Sequence, residues 1–549
     1  MDIAIGALIV ALAALLAERL AARRRRRMLK RLADGWGRAP AAAVDREALD
    51  DIASYWREYA GYAGVSDAVD DITWNDLDMD AVFRRLDRAD SGVGEELLYA
   101  MLRDIDAGDG ELAARRARVA FAESHPDQRL KMRAALAALG RARHHGASAY
   151  LFHPSAKAPR HGALYRLLAA LPIVFLLLGL LHPAFLFGIA ASFAVNMAVF
   201  YRSRQLWMGE IAAVRHIAAV VRAADRLKDA CASGLDDGRQ LADICRELRP
   251  VKRWNALFAM QRTGDLDFVT DYLRIAFQLD MLCLIGLTAF FQRHGEALRA
   301  VYRLVGEIDA CVAIANLRAS GERLCAPAFS AGPGLRAEGL AHPLIANPVR
   351  NDLLWDRPML ITGSNASGKS TFTKAVAINA ILAQSVCLCA AHSFSLPRCR
   401  VMSSMALRDD VRGGDSYFIV EIKSLKRIVD ALDGRPLLCF IDEILRGTNT
   451  AERIAASSAL LNHLAAAGCL CMAATHDQEL TALCPRYRQV HFREELTDRG
   501  MTFPYRLLEG PADTRNAIAL LKHMDFPLPV VDEAERAVQR HQATGAWRE

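Results

Sequence analysis

Apolar positions recur every three or four residues along most of the chain up to about residue 335, and that spacing predicts helices. Val82, Phe83 and Leu86, then Leu97, Leu98, Met101 and Leu102, fall on single helical faces. Segments 111–140 and 205–320 continue the pattern, rich in Ala, Leu and Arg, with breaks at Gly140, Gly234 and Gly264. Such segments form antiparallel helices most simply, and they carry no chemistry of their own.

Three stretches lack a polar face. Ile3 to Ala17 is uncharged, with only Asp2 before it and Arg19 and Arg23–Arg27 after it. A cleavable leader carries its positive charge ahead of the apolar run, so this order predicts a retained anchor whose arginines stay inside; the run is short, and an interfacial helix is the alternative. Leu167 to Tyr201 holds 35 residues without an Asp, Glu, Lys or Arg. As one helix it would reach about 50 Å, against a hydrocarbon core of about 30 Å. His182-Pro183 interrupts it near the middle, where a helical hairpin would turn. Arg166 precedes it and Arg202 and Arg204 follow, which predicts both flanks on the cytoplasmic side. Met281 to Phe291, at 11 residues, is too short to span and reads as a core helix. The expected total is three spans in a multi-pass protein of the cell membrane, with the rest of the chain in the cytoplasm.

The period changes after Ser330-Ala-Gly-Pro-Gly334, a linker by composition. Beyond it short strand-like runs alternate with helices: Met359–Thr362, Leu437–Ile441, Cys469–Ala474 and Gln489–Phe492. Alternation of this kind predicts an α/β domain around a largely parallel sheet. The expected organisation is an anchor at 1–22, a helical region at 23–166, the hairpin at 167–201, further helical core or lever at 202–329, an α/β domain at 335–535 and a tail at 536–549. The fold class is mixed: an all-α region with transmembrane helices, followed by an α/β domain.

Composition narrows the function classes. With 52% hydrophobic residues, 35 Gly and 19 Pro among 549 residues, the chain is neither disordered nor collagen-like. A net charge of +6 does not announce a nucleic-acid binder, because Arg23–Arg27 supplies most of it. Twelve cysteines without a C-x-x-C pair read as reduced, buried thiols rather than a disulfide framework or a zinc site.

The α/β segment carries specific chemistry. Gly363, Ser364, Asn365, Ala366, Ser367, Gly368, Lys369, Ser370 and Thr371 satisfy the phosphate-loop pattern, directly after an apolar strand and before a helix through Phe372, Val376 and Leu382. In such a loop glycines let backbone N–H groups curl round phosphates, Lys369 reaches the β/γ oxygens, and the Ser370 hydroxyl ligates Mg²⁺. About 70 residues on, Leu437–Ile441 ends in Asp442 and Glu443. Asp442 can hold Mg²⁺ through water, and Glu443 can activate an attacking water. Alone, such a run is an ordinary strand end; beside a phosphate loop it is the second half of an ATP site. His476, after Cys469–Ala474, stands where a γ-phosphate sensor is expected.

These residues carry a family resemblance. Thr362 to Thr371, with Asn365, resembles the phosphate loop of MutS mismatch-repair ATPases. Asp410 to Glu421 resembles the family's signature loop and following helix, Ile441 to Asn449 its Walker B and D-loop run, and Ala474-Thr-His476 its switch histidine. Order and spacing agree over about 335–535. More weakly, Leu86 to Leu98 is similar to the start of the MutS helical core, and Ile308-Asp309 through Ala315 to the segment leading into its ATPase domain. The whole chain most resembles the membrane-anchored, shortened MutS-related proteins of bacteria. Only about 50 residues separate the anchor from the core-like segment, so the mismatch-reading and connector domains have no room. The uncharged hairpin stands where MutS has a DNA-gripping clamp, and a hairpin without cations cannot neutralise phosphates.

The resemblance implies an ABC-type ATPase in which two subunits sandwich ATP and Mg²⁺. Gly414 and Ser416 of one subunit would then face the γ-phosphate bound by the other, with Ser416 stabilising charge in trans. The expected function is a membrane-tethered, homodimeric MutS-like ATPase, DNA-associated by descent but without mismatch specificity. The alternatives are a mechanochemical ATPase that acts on a membrane or protein partner without DNA and, more remotely, a transporter component, for which three spans offer little translocation path.

Overall fold

The computed structural model describes residues 19–20, 22–39, 45–65, 67–153, 162–251, 267–364, 367–405, 417–445, 448–497, 500–512, 518, 521–522, 524 and 526–544. The expected anchor Ile3–Ala17 and the site residues Asn365, Ala366, Gly414 and Ser416 lie outside the described residues. The chain divides into two compact units. One comprises Met1–Ser66, Leu86–Arg103 and Gly108–Glu322; the other comprises Asp67–Arg85, Asp104–Ala107 and Arg323–Glu549.

Every regular element described in the first unit is a helix. Its centre is the pair Gly92–Arg103 and Gly295–Arg318, the first of which is buried along its whole length. Glycines allow the close approach: a Cβ on Gly306 would lie 2.6 Å from Leu97 Cγ, and one on Gly94 would collide with the Asp309 carboxylate. Asp309 is fully buried and accepts from the backbone N–H of Asp90 (3.0 Å), the N–H of Ser91 (2.8 Å) and the Ser91 hydroxyl (2.5 Å), so it closes the entry to Gly92–Arg103 from the partner helix. Nearby, Arg118 grips Asp237 through two 2.9 Å bonds and Glu307 through one of 2.8 Å. All three are buried, and removing one would strand the others. Asp309→Ala is expected to lower stability by about 2–4 kcal/mol, because it orphans buried donors in the middle of the helix pair. Urea unfolding of the chain measures this, and Asp309→Asn should recover part of the loss.

The helices Gly162–Gly179 and Leu186–Cys231 form a hairpin whose turn is a 3-10 segment, Pro183–Phe185, capped by His182. Both are long and apolar enough to cross a membrane by length and composition. The hairpin is sparingly covered: Leu167, Leu176, Leu177, Leu180, Leu181 and Phe187 are each more than half exposed. Two of its polar side chains find partners inside. Asn196, fully buried, donates to Leu168 O (3.0 Å) and Ala276 O (2.7 Å), and Tyr165 Oη meets Ser203 Oγ at 2.9 Å. The long second helix departs from helical geometry at Trp207 and then runs into the first unit's core through Val214, Ile217, Val221 and Leu227. The shorter apolar run lies in the helix Leu279–Arg293, which buries Met281, Cys283, Leu284, Leu287 and Phe291.

The second unit is built on a six-stranded sheet. In spatial order its strands are Leu508–Glu509, Arg488–His491, Met359–Thr362, Leu470–Ala474, Leu437–Asp442 and Arg400–Ser404. All neighbours are parallel except the first pair. The central strands are apolar on both faces, as helices covering both sides require. A second, four-stranded sheet (Ala328–Phe329, Ser393–Leu396, Leu335–Leu340 and Asn351–Trp355) is mostly antiparallel. The α/β expectation thus holds, with mixed rather than purely parallel sheets. Asp67–Arg85 belongs here too: Asp76 accepts from Ser403 Oγ (2.7 Å) and Met405 N (2.9 Å), and Thr73 Oγ1 from Ser403 N (3.1 Å), at the end of the edge strand Arg400–Ser404.

Candidate functional site

The strand Met359–Thr362 is buried and hydrogen-bonded on both sides, so the loop that follows it starts from a fixed point. Gly363 and Gly368 have φ of +138° and +103°, where side chains are disfavoured. A Cβ on Gly363 would collide with Phe492 O, and one on Gly368 would sit 2.9 Å from the Tyr505 ring. Ser367 folds the loop back by donating from N (3.2 Å) and Oγ (2.8 Å) to Ser364 O. Gly368 caps the helix Lys369–Ser385, whose first-turn N–H groups have no acceptor within the helix and so offer a ready anion site. Ser370 is half-buried and Thr371 exposed at that helix start. Lys369 is buried and curls over the loop, donating from Nζ to Gly363 O (2.6 Å) and Ser364 O (2.7 Å).

Two strands away the chain leaves the sheet through Asp442. Glu443 and Leu445 adopt left-handed φ of 56° and 57°, a strained exit fixed by Glu443 N donating to Ala474 O (2.9 Å) and Leu445 N donating to the Glu421 carboxylate. That exit aims Glu443 at the neighbouring strand's end, where its Oε1 lies 2.8 Å from His476 Nε2. His476 Nε2 is also 3.4 Å from Lys369 Nζ. One nitrogen cannot donate to the carboxylate and accept from the ammonium together; the shorter contact assigns Nε2–H to Glu443. The segment after His476 is held by Asp477, whose carboxylate takes two bonds from Arg453 (2.9 and 2.7 Å) on the helix Thr450–Ala466, itself capped by Asn449. Lys369, Glu443 and His476 therefore converge, with Asp442 at the adjoining strand end.

Several residues here are not singled out by any sequence pattern. Glu494 is buried and accepts from Ser364 Oγ (2.9 Å), fixing the phosphate loop from outside. A cleft of about 560 Å³ opens beside Gly368–Phe372, lined also by His342, Ile345, Val349 and Tyr505. Asn351 braces it by donating to Tyr505 O (3.0 Å) and accepting from Leu507 N (2.9 Å). Burial first, then the Lys374 charge, pushes His342 down to about 4 against the pull of Asp78, so its imidazole is neutral at pH 7. The left-handed Tyr505 (φ 53°) is the kind of signal visible only in coordinates.

The loop fits a triphosphate: its glycines leave backbone where side chains would intrude, and the Lys369 ammonium lies on the loop carbonyls of Gly363 and Ser364. A divalent cation fits less from clustering than from placement. Among the described residues no group of three or more His, Cys, Asp or Glu could hold a metal by itself. Ser370 and Asp442 would each supply one oxygen, and the substrate phosphates the others, as Mg²⁺ sites commonly require.

Residues 359–542 match the family model described as MutS domain V. The chain is 34% identical over 252 residues to a DNA mismatch repair protein MutS of Natronomonas pharaonis, covering 44% of this chain and 29% of that protein. It is 32% identical over 256 residues to the MutS of Thermus caldophilus (46% and 31%), and 31% identical over 261 residues to that of Thermotoga maritima (46% and 32%). The chain thus spans less than a third of the length of these curated relatives. By these matches residues 359–542 are similar to domain V of MutS proteins, and the segment that the relatives share with this chain is similar to part of DNA mismatch repair proteins MutS.

Proposed function

We propose that the chain is a membrane-tethered MutS-type ATPase that works as a homodimer. The observation that carries the reading is the convergence of Lys369, Glu443 and His476 at the mouth of a glycine-formed phosphate loop. With ATP in the loop, Lys369 exchanges its hold on the Gly363 and Ser364 carbonyls for β- and γ-phosphate oxygens. Glu443 takes a proton from the water whose oxygen attacks the γ-phosphorus; the bond to the β-bridging oxygen breaks, and ADP and phosphate leave. His476 orients the Glu443 carboxylate through the 2.8 Å contact and reports the γ-phosphate's presence to the Arg453-braced segment behind it. Mg²⁺, held by Ser370 and Asp442, would neutralise charge on the leaving phosphates. Gly414 and Ser416 of the second copy complete the site in trans.

The relatives are named for DNA mismatch repair, and DNA association by descent comes to this chain as a proposal from them. The exposed apolar hairpin supports the competing reading, in which the ATPase drives a membrane partner. One measurement separates them: ATP hydrolysis by the detergent-solubilised chain with and without duplex DNA. Stimulation that fades as salt rises is expected for a DNA-associated enzyme, whereas indifference to DNA supports the membrane partner. For assembly, Glu443→Gln with ATP is expected to give a dimer by light scattering, and Ser416→Arg to abolish it with nucleotide binding intact. A monomer under trapped ATP would refute the trans site.

A further inference from the structure

The helix over 22–34 carries seven cations, Arg23–Arg27, Lys30 and Arg31, and Asp34 is the one acid between Arg19 and Arg38. All seven are exposed, and none pairs with an acid among the described residues. The far end of this helix is docked on the helical unit. Trp36 lies under the Arg129 guanidinium, 4.0 Å from the ring centroid, and Arg133 Nη1 donates to Leu32 O (2.5 Å). Gly37 N donates to Asn316 Oδ1 (2.6 Å), and a Cβ on Gly37 (φ +75°) would lie 2.7 Å from Ala319 O. The cations therefore stand on a fixed stem.

Two features call for anions around that helix. Arg23 and Arg27, Arg26 and Lys30, and Arg27 and Arg31 are like charges at i,i+4, which weakens a helix standing by itself. Residues also step about 100° round a helix, so five consecutive arginines go once round it, and Lys30 and Arg31 fall back among them. The charge is a collar, not a stripe. A nucleic-acid duplex touches only the side of a helix that faces it, which would leave the cations behind without phosphates. A headgroup layer surrounds a helix that passes through it and meets every side. The uncharged run Ile3–Ala17 ends six residues before Arg23, about 9 Å at helical rise, which is about one Debye length. Arginine side chains snorkel back over such a gap.

We propose that this collar is a docking surface for anionic phospholipid headgroups, which gather round the helix and fix where the helical unit sits against the membrane. The collar's role rests on the membrane-tethered reading above. Guanidinium suits it, because its planar fork pairs bidentately with a phosphodiester. A zwitterionic headgroup offers the same phosphate but cancels its charge with choline, so the collar distinguishes lipids by net charge and is screened by salt. The Trp36–Arg129 and Gly37–Asn316 contacts pass that seat on to the helices Pro126–Ala137 and Gly295–Arg318.

The test reconstitutes the full chain in nanodiscs of phosphatidylcholine and in nanodiscs made half of phosphatidylglycerol. Arginines are modified with phenylglyoxal and read by mass spectrometry, with Arg486, exposed in the second unit, as internal reference. Phosphatidylglycerol is expected to slow modification of Arg23–Arg27 at least about tenfold against Arg486, and raised salt to abolish the protection. This comparison uses the native chain, so misfolding of a variant cannot imitate the result. Equal modification in the two discs overturns the collar. Protection by duplex DNA in phosphatidylcholine discs, without protection by phosphatidylglycerol, overturns it in favour of nucleic acid. Failure to enter phosphatidylcholine discs would defeat the tethered reading alone. In that case capture by phosphatidylglycerol discs, lost with Arg24→Gln, Arg25→Gln and Arg26→Gln together, upholds the collar, and no capture overturns it.

Discussion

Glu443→Gln is expected to lower ATP turnover about 10²- to 10⁴-fold while ATP still binds, the range a positioned general base contributes. Glutamine keeps the size and can still accept from His476 Nε2, 2.8 Å away in the native site, but it cannot take the proton of the attacking water. The left-handed backbone at Glu443 is unaffected by the change, so the strand exit keeps its course. Lys369→Ala should behave differently. Its ammonium bridges Gly363 O and Ser364 O and stands ready for the ground-state phosphates, so its loss should remove ATP binding as well as turnover. Fluorescent-nucleotide titration together with phosphate release separates the two variants. If both lose binding alike, Glu443 belongs to the nucleotide's ground-state hold and the assignment of the base is wrong.

How much of this was legible in the sequence varies from element to element. The phosphate loop was, because glycine and lysine must stand at fixed offsets whatever the rest of the fold does, and Gly363, Gly368 and Lys369 sit where that chemistry needs them. The meeting of Glu443 with His476 was half legible: each residue closes a strand, and parallel neighbours bring strand ends to one edge, but the 2.8 Å contact depends on a left-handed exit that no spacing reveals. The turn at His182-Pro183 was legible for a local reason, since proline starts a turn and His182 Nδ1 accepts from Ala184 N at 3.2 Å.

The second sheet and the true company of Asp67–Arg85 were not. Trp74, Leu77, Met79, Val82 and Phe83 repeat at the same helical spacing as the helices of the first unit, so periodicity cannot assign them. What places them is Asp76 and Thr73 holding Ser403 and Met405, more than 320 residues later. Leu335–Leu340 alternates only until Gly339, whose φ of 57° and the bulge there break the strand period. Tyr505 joined the cleft for a comparable reason, through Asn351 and a main-chain contact rather than through any motif.

Thiol labelling of the hairpin is expected to give an all-or-none answer on topology. Gly162–Gly179 spans about 27 Å at 1.5 Å per residue, close to a hydrocarbon core of about 30 Å. Leu164, Leu167, Leu176 and Leu177, with Leu180, Leu181 and Leu186 around the turn, are exposed, and covering each with lipid is worth about 1.5–3 kcal/mol. Arg166 on one flank and Arg202 and Arg204 on the other favour the inside, which leaves the turn to emerge outside. Pro183 is exposed at that turn and serves as the outer reporter. Ser203 would be a poor inner reporter, because it is buried against Tyr165; Met208, 66% exposed and seven residues past Tyr201, is the better one. Native background should be low, since Cys325 is half-buried and the other eleven cysteines are buried. In intact cells a membrane-impermeant maleimide should therefore label Pro183→Cys and reach Met208→Cys only after permeabilisation. Labelling of neither before permeabilisation would mean that the hairpin stays on the inner side, and the reading in which the ATPase drives a membrane partner would lose its main support.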